Sequence, residues 1–172
     1  MKSKYNPKSA RSIAGKDFQN KVLEEFKNSE IFVDVEDFRE KKRTEGILSG
    51  KPYTETELSI LEKSWGDITF LVGDHRFYIE CCFAMGEHQT SMCEIKRECF
   101  VGDNKWYCYG KRIDPDARVF IHSRVWQAYM GQLKLNKKNG WRYRTVDIKS
   151  IGHHIRAAII GQENFEKLFA GT

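Results

Sequence analysis

Two acidic residues lie where a β-hairpin would bring them together. Asp67 begins one segment rich in strand-forming residues, 67–72, and Glu80 lies inside a second, 76–83, with Gly73-Asp74 between them. A Gly-Asp pair between two such runs is typical of a hairpin turn. Because both acids have a similar offset from that turn, we expect their carboxylates to lie side by side. Two adjacent carboxylates repel each other, and a hard divalent cation such as Mg²⁺ removes that repulsion.

The position of Glu80 within an apolar strand also needs an explanation. On a strand, Tyr78, Glu80 and Cys82 share one face, and burial of a carboxylate there costs free energy unless a cation or donor compensates. A structural ion pair with Arg76 or a nearby lysine is one alternative to a functional role. Asp67 likewise has a plainer interpretation as a turn residue at the entry of its strand.

The surrounding pattern predicts a mixed α/β fold. Phe18, Val22 and Phe26 recur every fourth residue and predict an amphipathic helix over 17–28. Thr54 and Glu57 have the spacing of a capping box, which begins a helix that runs to about residue 64. The remaining predictions are strands at 31–35, 103–109, 119–121 and 141–148, a loop or irregular helix at 36–51, a helix from Ser123 through Val125, Tyr129 and Leu133, and a helix from Ser150.

The order of these features resembles the PD-(D/E)xK nuclease superfamily. Gly66-Asp67 followed by Ile79-Glu80-Cys81-Cys82 looks like the superfamily motif, and Gln19 stands on the early helix where many members carry a glutamate. The resemblance spans roughly residues 15–110. It implies a restriction-endonuclease-like core with a mixed central sheet flanked by helices. It also implies that Asp67, Glu80 and the main-chain carbonyl of Cys81 hold Mg²⁺ or Mn²⁺, which activates water for cleavage of DNA.

The chain departs from this motif at one position. The lysine of the motif, which orients the attacking water and stabilises developing negative charge, falls on Cys82, and a neutral thiol does neither. Lys96 is the best candidate to replace it, and Arg76 could supply part of the charge. Two competing hypotheses are an inactive nuclease-fold protein that binds nucleic acid, and a false match in a protein-interaction module.

Basic residues interleave with aromatic ones late in the chain, a pattern that suits phosphate contacts and base stacking. For Trp126, Tyr129, Trp141 and Tyr143 a place in the core is the favoured interpretation. The residues that we expect to contact nucleic acid are Arg76, Lys111, Arg112, Arg124, Lys134, Lys137, Lys138 and Arg142.

Bulk composition bounds the class of protein. The 172 residues suit one domain, and we expect a flexible basic arm over 1–14 followed by a single nuclease-like domain over 15–172. Net charge is +5, which permits an anionic partner without requiring one. Five cysteines, two of them adjacent, argue against a disulfide framework, and no segment resembles a signal peptide or membrane span. We therefore expect a cytoplasmic protein with DNA as its partner, no membrane association, and a possible homodimer for cutting both strands.

Overall fold

A computed structural model of the chain describes residues 10–84, 89–111, 118–128, 131–147, 159–160 and 169. Five helices lie in these segments: α1 (Ala10–Lys27), α2 (Phe38–Leu48), α3 (Glu55–Trp65), α4 (Glu94–Cys99) and α5 (Ser123–Ala128). The strands are β1 (Val33–Asp37), β2 (Ile68–Val72), β3 (His75–Ala84), β4 (Gln89–Cys93), β5 (Lys105–Lys111), β6 (Arg118–His122), β7 (Leu133–Asn136), β8 (Trp141–Asp147) and β9 (Ile159–Ile160).

The principal sheet is mixed and has the order β1-β2-β3-β5-β6, with the two-residue strand β9 on the outer edge of β6. Strand β3 runs parallel to β5, and the other neighbours are antiparallel. A second, three-stranded antiparallel sheet has the order β4-β8-β7. The chain is therefore a mixed α/β protein, as the sequence predicts.

Helices cover both faces of the principal sheet. The stripe of Phe18, Val22 and Phe26 on α1 packs into one core cluster with alternate residues of the strands, among them Ile79 and Cys108. A second cluster on the opposite face joins Tyr107 and Tyr109 of β5 to Trp126 of α5 and to Phe100, which follows α4. No helix in the described segments is long and apolar enough to cross a membrane.

The first helix begins earlier than predicted. Helix α1 starts at Ala10, seven residues before the expected start at Asp17, so residues 10–14 are helical although we predicted a flexible arm there. Residues 1–9 lie outside the described part of the chain. The apolar stripe marks only the section of this helix that packs on the sheet, and the polar first turns carry no such signal.

Two further expectations about secondary structure are wrong. Residues 36–51 contain a regular helix, α2, which Asp37 caps by accepting a hydrogen bond from the backbone N–H of Glu40 at 3.1 Å. The helix predicted from Ser123 ends at Ala128, and Leu133 instead begins β7, where pairing with β8 overrides the helical spacing. The helix predicted from Ser150 lies largely outside the described residues, although residues 159 and 160 form a strand.

Candidate active site

The β2–β3 hairpin sets Asp67 close to Glu80. Ile68 pairs with Ile79 at the end of the antiparallel register, and Asp67 and Glu80 are the next residues along the two chain segments. The backbone N–H of Asp67 donates to the carbonyl of Ile79 at 2.8 Å. The Oδ2 atom of Asp67 accepts a hydrogen bond from the backbone N–H of Cys81, also at 2.8 Å. The hairpin therefore brings the first predicted acid to the same level of the sheet as the second.

Gly66 makes this close approach possible. Its φ is +74°, and a Cβ atom at this position would lie 2.6 Å from the carbonyl oxygen of Ile79. Any larger residue would push Asp67 away from β3, because both the left-handed backbone and the short contact exclude a side chain. The glycine that precedes the acid is thus part of how the acid is placed.

Lys96 approaches Glu80 from helix α4. Its Nζ forms an ion pair with Oε1 of Glu80. The Glu80 side chain is 4% exposed and that of Lys96 is 34% exposed, so the pair reaches from the buried sheet face towards solvent. Of the two cations expected near Glu80, Lys96 contacts it, whereas Arg76 donates to Thr69 Oγ1 at 3.0 Å and pairs with Asp34.

Burial and mutual repulsion shift the titration of both acids. Burial, followed by the negative charge of Asp67, raises the pKa of Glu80 to about 8, against the opposing effect of Lys96. Burial also raises the pKa of Asp67, while Lys96 and the Cys81 hydrogen bond lower it. Burial lowers the pKa of Lys96, but Glu80 and Asp67 outweigh it and raise that pKa overall. The lysine therefore stays charged, and near neutral pH the two carboxyl groups hold a proton that a cation would displace.

Two acids that the sequence analysis did not select surround this centre. Glu62 on α3 accepts a hydrogen bond from Arg39 at 2.9 Å, and burial together with the charge of Asp67 raises its pKa. Glu62 follows the buried Leu58 by one helical turn, which is the signal that could have identified it as facing inwards. Asp37, the cap of α2, contributes to the raised pKa of Asp67.

Gln19 lies beside Asp37 and not at the centre itself. Its Nε2 donates to Oδ2 of Asp37 at 3.3 Å, and Lys16 Nζ lies 3.7 Å from the same oxygen. The structure thus brings Asp67, Glu80 and Lys96 together, whereas Gln19 hydrogen-bonds to Asp37, whose charge raises the pKa of Asp67.

The donor chemistry at this centre fits a hard cation. Across the described segments, no three side chains of His, Cys, Asp or Glu converge as a metal-binding group, so a cation here would depend on two carboxylates and backbone or solvent oxygens. Burial raises the pKa of the Cys81 and Cys82 thiols, which favours their neutral form in the metal-free chain. Paired carboxylate oxygens are the donors that Mg²⁺ and Mn²⁺ prefer.

A basic hairpin formed by β7 and β8 carries four of the residues predicted to contact nucleic acid. These side chains are exposed and form no ion pair with another described residue: Lys134, Lys137, Lys138 and Arg142. On the same hairpin the rings of Trp141 and Tyr143 are partly exposed and stacked, with centroids 4.8 Å apart and planes inclined by 14°. Trp126, in contrast, is 1% exposed and belongs to the core.

The rest of the predicted contact residues are placed differently. Arg124 pairs with Asp103 at 2.9 Å on the surface, and Arg76 pairs with Asp34. The Lys111 side chain, Arg112 and Tyr129 lie outside what the structure describes. Among the predicted contact residues whose side chains the structure describes, those of the β7–β8 hairpin are therefore the ones without acidic partners.

A network around Glu94 connects this hairpin to the helix that carries Lys96. Arg144 of β8 donates through Nε to Glu94 Oε2 at 2.7 Å, and Arg97 donates to Oε1 of the same carboxylate at 2.8 Å. These hydrogen bonds lower the pKa of Glu94 to about 2. Because Glu94 begins α4, it ties the basic hairpin to the helix on which Lys96 lies two residues further on.

Comparisons with known proteins add no family to this description. A scan against protein-family models gives no match, and a search of curated proteins finds no similar sequence. The function must therefore be inferred from the geometry and electrostatics of the chain itself.

Proposed function

We propose that the protein is a metal-dependent DNA endonuclease with a restriction-endonuclease-like core, related to the PD-(D/E)xK superfamily. The observation that carries this proposal is the convergence of Asp67 and Lys96 on the buried carboxylate of Glu80. Two acids and one lysine are the side chains that this chemistry requires, and here they come from two adjacent strands and one helix.

The lysine missing from the motif would be supplied by another element. Cys82 occupies the expected position on β3, but Lys96 reaches Glu80 from α4 and forms an ion pair with it. Because nearby carboxylates raise the pKa of Lys96, its ammonium group keeps its charge at neutral pH. That charge would orient a water molecule and stabilise the negative charge that develops on the phosphoryl oxygens.

The two acids would hold the cation. Asp67 and Glu80, with the Cys81 carbonyl that the resemblance implies, would provide oxygen donors, and once their proton is displaced their negative charge would exceed the positive charge of Lys96 by one. A bound Mg²⁺ would supply the positive charge that lowers the pKa of the attacking water and offsets the charge of the reacting phosphate. The shape of the hairpin, fixed by Gly66 and by the Cys81–Asp67 hydrogen bond, keeps the first acid in place before the cation binds.

The β7–β8 hairpin would hold the DNA backbone. Its four exposed cations suit phosphate contacts, which contribute affinity without reading sequence. Its connection to α4 through Arg144 and Glu94 provides a fixed relation between the surface that would bind DNA and the lysine at the site.

The test is cleavage of plasmid and oligonucleotide DNA with Mg²⁺ or Mn²⁺ present or removed by chelation. We expect cleavage by the unmodified chain and none by Asp67→Asn or Glu80→Gln. Asp74→Asn is the matched control, because Asp74 is an exposed acid in the turn of the same hairpin. Circular dichroism would establish that each variant folds.

Two outcomes would oppose the proposal. Cleavage that survives in folded Asp67→Asn or Glu80→Gln would remove these acids from the reaction. Salt-sensitive DNA binding with no product at any metal concentration would favour a nuclease-fold protein that binds DNA without cutting it.

A further inference from the structure

A small cavity lies beside the candidate active site on the same face of the β2–β3 hairpin. It has a volume of about 200 Å³ and lies between that hairpin and helices α2 and α3. Thr69 and Tyr78, which line its floor, are a cross-strand pair two residues from the level of Asp67 and Glu80. Two residues along a strand correspond to about 7 Å and return to the same face. The cavity therefore lies about 7 Å from the site, close enough for one substrate molecule to occupy both.

Aromatic rings form most of the apolar wall of this cavity, which we call the Trp65 pocket. Its four aromatic residues are Phe38, Tyr53, Trp65 and Tyr78. Trp65 and Tyr78 lie with ring centroids 4.8 Å apart. Trp65 is 36% exposed and Tyr53 is 39% exposed. Lys105 Nζ lies 4.3 Å from the centroid of the Trp65 ring, so a planar group could cover the Tyr53 ring and the part of the Trp65 ring that Lys105 leaves open.

Cations line the other side of the Trp65 pocket. Lys41, Lys42 and Arg76 contribute to its wall, and their acidic partners, Asp34, Glu36 and Glu45, lie outside the lining. Because the cations line the cavity and the acids do not, a ligand meets donor groups there, which suits an anion better than a cation, although aromatic rings alone would suit a cation. Aromatic rings combined with positive charge suit a flat ring system that carries a negative group.

Asp34 fixes two of these cations from outside the Trp65 pocket. Its carboxylate pairs with both Lys41 and Arg76, and the arginine hydrogen bond lowers its pKa. Asp34 has a φ of +55°, a left-handed conformation, at an irregularity in the pairing of β1 with β2. The irregular strand thus directs one acid so that it holds two cations at the wall of the pocket.

We propose that the Trp65 pocket binds one unstacked nucleobase together with its phosphate, immediately beside the phosphodiester that the site cleaves. The adjacency to cleavage rests on the proposed function, whereas nucleotide binding by the pocket does not. A volume of about 200 Å³ corresponds to roughly seven water molecules, which is enough for one base and too little for a base pair. The preferred substrate is consequently DNA with an unpaired or displaced nucleotide, because a base in an intact duplex is stacked and inaccessible.

Binding of deoxyadenosine monophosphate in the absence of metal tests the pocket directly. Calorimetry should give saturable binding to the unmodified chain, with affinity at least about tenfold weaker in Trp65→Leu and in Tyr53→Ala, since each removes a stacking surface. Ile60→Ala is the matched control, because Ile60 is 58% exposed on the same helix and lies outside the lining of the pocket. Tyr53→Ala tests the pocket independently should Trp65→Leu fail to fold, because Tyr53 is 39% exposed and lies outside the hydrophobic core.

Inorganic phosphate separates a nucleotide pocket from a site for phosphate alone. We expect phosphate to bind more weakly than the nucleotide and without dependence on Trp65. Equal affinity for phosphate and nucleotide, or nucleotide affinity that is unchanged in folded Trp65→Leu and Tyr53→Ala, would overturn the proposal.

A second measurement distinguishes failure of the pocket from failure of the nuclease assignment. Asp67→Asn should bind the nucleotide as the unmodified chain does while cutting no DNA. Nucleotide binding that depends on Trp65, in a protein that cuts nothing, would support the pocket and remove the endonuclease. Cleavage that proceeds equally well on intact duplex and on DNA with an unpaired nucleotide would remove the substrate preference proposed for the pocket.

Discussion

The candidate active site and the β7–β8 hairpin differ in how far their charged side chains are buried and paired. At the site, the Glu80 side chain is 4% exposed and forms an ion pair with Lys96. Burial and the negative charge of Asp67 raise the pKa of Glu80 to about 8. On the hairpin, four cations extend into solvent without acidic partners among the described residues. Burial and close contact shift the pKa values of charged groups, whereas solvated cations attract any polyanion without selectivity. Chemistry and affinity should therefore respond to different substitutions.

Lys96→Met should produce the largest separation of the two regions. We expect cleavage to fall by about 10²–10³-fold, because the variant removes the positive charge at the developing phosphoryl oxygens. DNA affinity at constant salt should change little, since the cations proposed to bind DNA lie on the β7–β8 hairpin. Single-turnover cleavage and fluorescence anisotropy measure the two quantities.

Lys51→Met is the control for that substitution, because Lys51 is an exposed lysine on the loop between α2 and α3. A folded Lys96→Met variant that cleaves at the rate of this control would show that the ion pair with Glu80 is structural only.

Removing the positive charges of the β7–β8 hairpin should weaken DNA binding while leaving the cleavage step largely unchanged. Changing Lys134, Lys137, Lys138 and Arg142 to glutamine should weaken DNA binding and reduce the slope of log affinity against log salt. The reduction should be up to about 0.9 for each phosphate that the variant no longer neutralises. Cleavage at saturating DNA should remain near that of the unmodified chain. An unchanged salt slope would mean that another surface binds the backbone.

The titration of Glu80 should make a smaller contribution, which appears in the pH dependence of the free energy of unfolding. Glu80 in the unfolded chain loses its proton near 4.5, whereas burial and Asp67 hold its folded pKa at about 8. Between these values the folded state binds more protons, so stability should decrease as pH rises through this window and level off above pH 8. The slope for one group is at most about 1.4 kcal/mol per pH unit.

Glu80→Gln should abolish this component of the pH profile, and Asp74→Asn should preserve it. Chemical denaturation in the absence of divalent cations, at intervals between pH 5 and pH 9, provides the measurement. Parallel profiles for the unmodified chain and Glu80→Gln would show that Glu80 ionises in the folded protein as it does in water.

Local chemistry explains which parts of the site could be predicted from sequence. The two-residue turn at Gly73-Asp74 fixes the register of β2 and β3, so the proximity of Asp67 to Glu80 beyond the last pair of the hairpin and the shared face of Tyr78, Glu80 and Cys82 follow from counting residues. The capping box at Thr54 and Glu57 is likewise local, and the structure confirms both of its hydrogen bonds.

The parts that sequence reasoning missed depend on contacts between distant segments. Helix α2 has few apolar residues, and its charged side chains form ion pairs within the helix and with α3, such as Arg43 with Glu55 at 2.8 Å. Asp37 therefore did not stand out as a helix cap. Glu62 gains its significance only because α3 packs beside Asp67, and the Trp65 pocket exists only where α2, α3 and the hairpin meet.

Calorimetric titration with Mg²⁺ tests most directly whether Asp67 and Glu80 hold one cation between them. For the unmodified chain we expect a single site, with affinity that increases from pH 6 to pH 8 as the cation displaces the proton shared by the two acids. Asp67→Asn and Glu80→Gln should each abolish that binding, and Asp74→Asn should retain it. Undiminished Mg²⁺ binding in either site variant, or no binding by the unmodified chain at any of these pH values, would contradict the account.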